Sequence, residues 1–253
     1  MYRILMIANI LFFVIVLIIN TLAVTSPFWG KSIVELTDLH ANMLTPEHFS
    51  SSIWSIIYPL LSLSIIDQIK TVLKKEAVPR EVQSVGIGFI ITFVLNCGWL
   101  IAWEAEYLIL SFAIIFSNWL TLIWVYYRLV GVEKARWIYT IPFSIYLAWI
   151  CIGALLHLNL LLIYLGFDFF GLSEEYWTAA LIVMGIFGTL LVLYLNQDIW
   201  FTLVLIWAFL GIFLRSKRLF YENNWVTIMS LFAMVFLAVV GTWTQFRKIK
   251  SSD

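Results

Sequence analysis

Long apolar runs, separated by short clusters of charge, dominate the chain. They lie near residues 4–24, 53–72, 84–103, 108–127, 138–158, 177–195, 199–214 and 225–243. A bilayer-crossing helix takes about 20 apolar residues, so the pattern predicts about eight spans, the seventh being the shortest. The first run is rich in β-branched residues (Val14, Ile15, Val16, Ile18, Ile19). It does not alternate polar with apolar positions, as a barrel strand would, and only helices and closed barrels satisfy the backbone in lipid. The expected fold is therefore an all-α, polytopic transmembrane helix bundle. At about 20 apolar residues the first run is too long for a cleavable signal core of about 7–15, and it is read as a retained anchor.

Composition agrees with the pattern. Of 253 residues, 63% are hydrophobic and 12% charged, against about 45–50% and about 25% in a soluble domain, which excludes a soluble globular protein. Fifteen basic and 15 acidic residues cancel, and no basic stripe offers a nucleic-acid surface. Cys97 and Cys151 sit inside apolar runs and read as reduced packing residues.

Basic residues set the expected orientation. Arg3, the second loop (Lys70, Lys74, Lys75, Arg80), the fourth loop (Arg128, Lys134, Arg136) and the tail (Arg247, Lys248, Lys250) fall on one side of an even-numbered bundle. By the positive-inside rule that side, with both termini, is cytoplasmic, in a multi-pass protein of the plasma membrane. The opposite side collects Glu35, Asp38, Glu47, Glu104, Glu106, Asp168, Glu174 and Glu175. Arg215, Lys217 and Arg218 break the rule if the Asn196-Gln197-Asp198 turn joins two full spans. Either the rule fails there, or the sixth and seventh spans are not both complete crossings.

Of 13 tryptophans, Trp54, Trp103, Trp137, Trp177, Trp200, Trp225 and Trp243 fall at predicted helix ends and fit an interfacial belt. Trp99, Trp119, Trp149 and Trp207 lie deeper, where an indole N–H needs an acceptor. Helical spacing places Asn96, Trp99 and Trp103 on one face, Tyr146, Trp149 and Gly153 on another, and Trp54, Tyr58 and Ser62 on a third. At about 1.5 Å per residue, Tyr58, Asn96 and Trp149 lie about 6–15 Å below the outer boundary. Polar faces within spans turn toward a bundle interior, so these three either meet in an outer-half pocket or serve as interhelical hydrogen-bonding glue. The first loop, about 25–52, carries Pro27, His40, Pro46 and His48; a connection of that length is functional or a plain tether.

Other chemistry is sparse. His40, His48 and His157 stand apart from any cysteine or carboxylate cluster, so no metal site is assigned. Asp67, with Lys70 three residues on, reads as an interfacial ion pair rather than a proton relay. Glu104 and Glu106 form a solvated turn or gate a pocket mouth. No G-x-S-x-G, H-E-x-x-H or P-loop is present, and no catalytic residue is assigned. Every lysine falls in a loop, tail or helix end, which argues against retinal attachment.

Three stretches resemble the TspO/MBR family of tryptophan-rich sensory proteins, translocator proteins and peripheral benzodiazepine receptors. They are Thr45-Pro46-x-x-Phe49-x-x-x-x-Trp54-x-x-x-Tyr58, Asn96-x-x-Trp99-x-x-x-Trp103, and Tyr146-Leu147-Ala148-Trp149 with Leu158-Asn159. The resemblance covers about residues 1–165 and implies a five-helix TspO-like core, with three extra helices in a C-terminal membrane extension over 166–253. It implies a cavity lidded by the first loop that takes a hydrophobic planar ligand such as a porphyrin, with sterol-like lipids and benzodiazepine-type compounds as the family's other ligands. Carried over by position, Trp54, Tyr58, Asn96, Trp99, Trp103, Tyr146 and Trp149 line or support that cavity. A homodimer is implied, and no cofactor is required. Some positions depart from the pattern: Pro142 precedes Tyr146 by four residues instead of one, Gly153 stands for alanine, and no basic residue follows Tyr164. The expected function is sensing, sequestration or transfer of the ligand. A secondary transporter completed by the last three spans and a tetrapyrrole-degrading membrane enzyme stay open as alternatives.

Overall fold

The computed structural model describes residues 2–167, 169–220 and 224–250; Asp168, counted above among the outer acids, lies outside the described residues. Among these residues every regular element is helical. The helices are α1 (Tyr2–Thr25), α2 (Ile33–Leu39), α3 (Trp54–Leu73), α4 (Arg80–Val85), α5 (Gly88–Glu104), α6 (Leu108–Val130), α7 (Trp137–Tyr164), α8 (Glu174–Asn196), α9 (Ile199–Phe220) and α10 (Trp225–Lys250). Among the described residues seven segments are long and apolar enough to cross a membrane, and α5 is a shorter apolar helix. The chain is a polytopic membrane helix bundle.

Two expected spans change length. The third is broken: Gly86 takes φ 57° between α4 and α5, a conformation that only glycine adopts without strain, and α5 keeps 17 residues. The seventh, expected to be the shortest, is a 22-residue helix. It runs on through Arg215, Lys217 and Arg218 because Arg215 is buried and Arg218 pairs with Glu47.

One compact unit comprises Met1–Leu39 and Trp54–Ile150. In it α1 packs on α3 and α5, and α5 on α6. The buried face of α1 (Met6, Asn9, Phe13, Val16, Ala23) follows helical spacing, and Phe13 meets Phe93 of α5 at 5.6 Å between ring centroids. The α5–α6 crossing depends on Gly88, where an added Cβ would stand 2.6 Å from the Trp124 ring and 2.7 Å from Val125. Phe89 packs edge-on against Tyr139 and Phe143. At the end of this unit that bears the α3–α4 and α6–α7 loops, the expected Asp67–Lys70 pair is replaced. Asp67 is gripped by both terminal nitrogens of Arg136 at 2.9 Å and accepts the Tyr139 hydroxyl at 2.8 Å. Buried Glu81 accepts the Arg136 backbone N–H at 2.8 Å and its Nε at 3.3 Å. Planar guanidinium suits a two-point grip on carboxylate, which a lysine cannot provide.

The second unit comprises His40–Ile53 and Cys151–Asp253. Here α10 packs on α8 and α9, and Gly185 admits Phe209 and Leu155. The Asn196–Asp198 turn is tight because Gln197 closes α8 in the left-handed region and Asp198 caps α9, accepting the N–H groups of Trp200 and Phe201. Three contacts gather the other loops at one end. Met43 N–H bonds Glu174 at 3.2 Å, Arg218 grips Glu47, and Trp225 N–H bonds Glu175. Thus α8 leaves that end and α9 returns to it, both as full-length helices. The basic residues of the last turns of α9 share an end with the 40–53 part of the first loop, and Glu47 offsets part of their charge.

Candidate functional site

The site is built in the first unit from α1, α3, α5, α6 and α7. Trp54 opens α3 and stacks on Tyr58 one turn later, with centroids 5.2 Å apart and planes 18° apart. Tyr146 of α7 meets the Trp54 ring edge-on at 5.8 Å, the alternative geometry that an aromatic quadrupole favours. Asn118 of α6 donates through Nδ2 to Tyr146 Oη at 3.1 Å. Asn20 of α1 donates to Asn96 Oδ1 of α5 at 3.1 Å and to the Val16 carbonyl at 2.9 Å. Cys97, also on α5, is buried.

Three buried polar atoms in this cluster, Tyr58 Oη, Asn96 Nδ2 and Asn118 Oδ1, make no well-formed hydrogen bond within the protein. A buried polar group without a hydrogen bond costs about 1–3 kcal/mol, so these three atoms mark the polar spots of the cluster.

The structure thus brings Trp54, Tyr58 and Tyr146 into contact and bonds Asn96 to Asn20. Trp99 and Trp149 stand half-buried on α5 and α7, three residues beyond Asn96 and Tyr146. Trp103 is 4% exposed, so it belongs to the bundle interior and not to the lipid belt, whereas Trp137, Trp200, Trp225 and Trp243 are exposed as a belt requires. Sequence reasoning missed Asn20 and Asn118, although an amide within an apolar run was itself the signal. The Glu104–Glu106 turn is not simply solvated. Glu104 is buried and accepts the Phe28 N–H at 2.8 Å, and Glu106 pairs with Lys31 at 2.6 Å. The first part of the loop is therefore tied to the end of α5.

In the second unit, the later part of that loop is held by α9. Trp207 donates to the Ser50 carbonyl at 3.1 Å and meets Phe49 edge-on at 5.0 Å. Glu47 N–H bonds the Gly211 carbonyl at 3.1 Å, and its carboxylate takes Arg218 Nε at 2.5 Å and Nη2 at 3.1 Å. The hydrogen bond from Arg218 holds the Glu47 carboxyl below its ordinary 4.5, with Arg215 adding to the pull. A carboxyl whose folded value is depressed contributes stability above its unfolded value, lost as pH falls through the folded one. Amide protection over residues 40–53, relative to the intrinsic exchange rate at each pH, should accordingly fall as the medium is acidified below about pH 4.5, the unperturbed carboxyl range. Arg218→Gln should exchange fast already at neutral pH; equal, pH-independent protection in both proteins would refute this account.

A helical protein that spans the membrane many times and carries an aromatic and amide cluster inside its bundle is the class these features define. Residues 6–243 match the family described as TSPO-like protein, and the chain belongs to that family. The match runs through the last three spans as well as the first five. No curated protein and no solved structure matches the chain.

Proposed function

We propose that the protein binds a hydrophobic planar ligand of porphyrin or tetrapyrrole type at the Trp54–Tyr58–Tyr146 cluster and senses, sequesters or passes it on. The observation that supports this most is the stacked aromatic platform surrounded by the unsatisfied Tyr58, Asn96 and Asn118 atoms. Trp99, Trp103 and Trp149 complete the proposed lining from α5 and α7. The same reading places the protein in the plasma membrane with both termini cytoplasmic, as a homodimer.

Titrating the detergent-purified protein with protoporphyrin IX, while following tryptophan fluorescence corrected for inner-filter effects, tests the reading. Saturable quenching is expected, and Trp54→Leu or Trp149→Leu should weaken the affinity at least tenfold, about 1.4 kcal/mol. Non-saturable quenching indifferent to both substitutions would sink the assignment.

A second reading, as a permease, draws on one observation. Asn9 of α1 bonds Gln68 of α3 at 2.9 Å, on the α1 face that carries Asn20 and about 16 Å further along the helix. Polar groups thus mark both halves of this unit. Concentrative uptake of ligand into proteoliposomes would favour passage over simple binding.

A further inference from the structure

The Asp67–Glu81–Arg136 network borders an open cleft of about 560 Å³ in the first unit, also lined by Thr71, Glu133 and Lys134. Its charges are unbalanced. Two carboxylates, with side chains 22% and 5% exposed, face a single guanidinium, which leaves one negative charge in a poorly solvated place where an added cation is stabilised. The Arg136 side chain is itself 42% exposed, and the exposed Arg80 and Lys134 line the cleft beside the exposed Glu76 and Glu133, so the cleft offers separate cationic and anionic groups to a zwitterion.

The position of the cleft selects among zwitterions. It lies at the ends of α3 and α6 and at the start of α7, where spanning helices meet lipid headgroups. Leu73, Val130 and Trp137, each one or two residues from a lining residue, are exposed apolar side chains. A guest with a charged head and hydrocarbon tails therefore finds a surface for each part.

The geometry points to a headgroup site for an aminophospholipid of the phosphatidylethanolamine type. The primary ammonium is held by Asp67 and Glu133, and the phosphate faces Arg136 and Lys134. A primary ammonium donates three hydrogen bonds to carboxylates, whereas a trimethylated one donates none and a glycerol headgroup carries no cation. The site therefore distinguishes the three commonest phospholipid heads.

The test is native mass spectrometry of delipidated full-length protein given equal amounts of phosphatidylethanolamine, phosphatidylcholine and phosphatidylglycerol. The ethanolamine lipid should be retained at least tenfold over the other two, and both Asp67→Asn and Glu133→Gln should bring it down toward the choline lipid. Glu133 is exposed and outside the buried network, so its variant decides the matter if Asp67→Asn fails to fold. Equal retention of the three lipids, or a preference unchanged in Glu133→Gln, would overturn the proposal. Displacement of the lipid by equimolar soluble phosphoethanolamine or by a lysine-containing peptide would overturn the lipid as occupant.

Discussion

Replacing Arg136 with leucine should destabilise the protein by about 3 kcal/mol, because it leaves the Asp67 and Glu81 carboxylates facing each other without the one cation that joins them. For a chain of this size that corresponds to a Tm lower by about 6–12 °C. The same guanidinium ties Asp67 of α3 and, through Nε, Glu81 of α4 to the start of α7, so the loss is of a three-way junction and not of a surface ion pair. Arg136→Lys should recover part of the stability by restoring charge without the two-point grip. Tyr139→Phe, which removes one hydrogen bond to Asp67, should cost about 1 kcal/mol. Thermal unfolding in one detergent compares the set, and an Arg136→Leu midpoint equal to that of the parent protein would contradict the assignment.

Gly88→Ala is the second large effect. The new methyl would overlap Trp124 and Val125 and touch Val85, and overpacking of this kind costs about 1–3 kcal/mol. Trp124 is exposed and swings away, but Val125 is buried with a short, stiff side chain. The penalty should therefore persist in Gly88→Ala/Trp124→Ala and shrink in Gly88→Ala/Val125→Ala. That asymmetry, read as a coupling energy in a double-mutant cycle, separates a helix-crossing clash from a loss of backbone flexibility, which neither second substitution would relieve.

The spans were legible because a bilayer-crossing helix must be apolar over most of its length, and each of the eight runs corresponds to a helix, the third starting late and the seventh running on. Where the reading erred, the decisive fact was remote or conformational. Hydropathy cuts the seventh run at Arg215, but the helix continues because the partner of Arg218 is Glu47, 171 positions away. The break at Gly86 is a single positive φ within an apolar stretch, invisible to any average over a window. Asp67 was matched to Lys70 because sequence displays neighbours along a helix, whereas its partner lies 69 positions on. Helical spacing found the aromatic members of the candidate site. It could not find Asn20 and Asn118 as members, because which amide meets which partner, Asn96 for Asn20 and Tyr146 for Asn118, depends on the rotation of α1 and α6 within the bundle. The Glu104–Phe28 bond was hidden for a related reason: its acceptor is a side chain, but its donor is a backbone N–H, and composition carries no record of that.

The brevity of α5 extends its influence into the surrounding membrane. Seventeen helical residues rise only about 25 Å, while a typical hydrocarbon core is about 30 Å thick. Lipid along the exposed side of α5, where Ile91, Val94 and Ile101 face outward, must thin to meet it. This flank is a built-in thickness gauge: hydrophobic mismatch there is least in a bilayer of shorter acyl chains, and each added methylene strains the α5 side of the protein before it strains the longer helices.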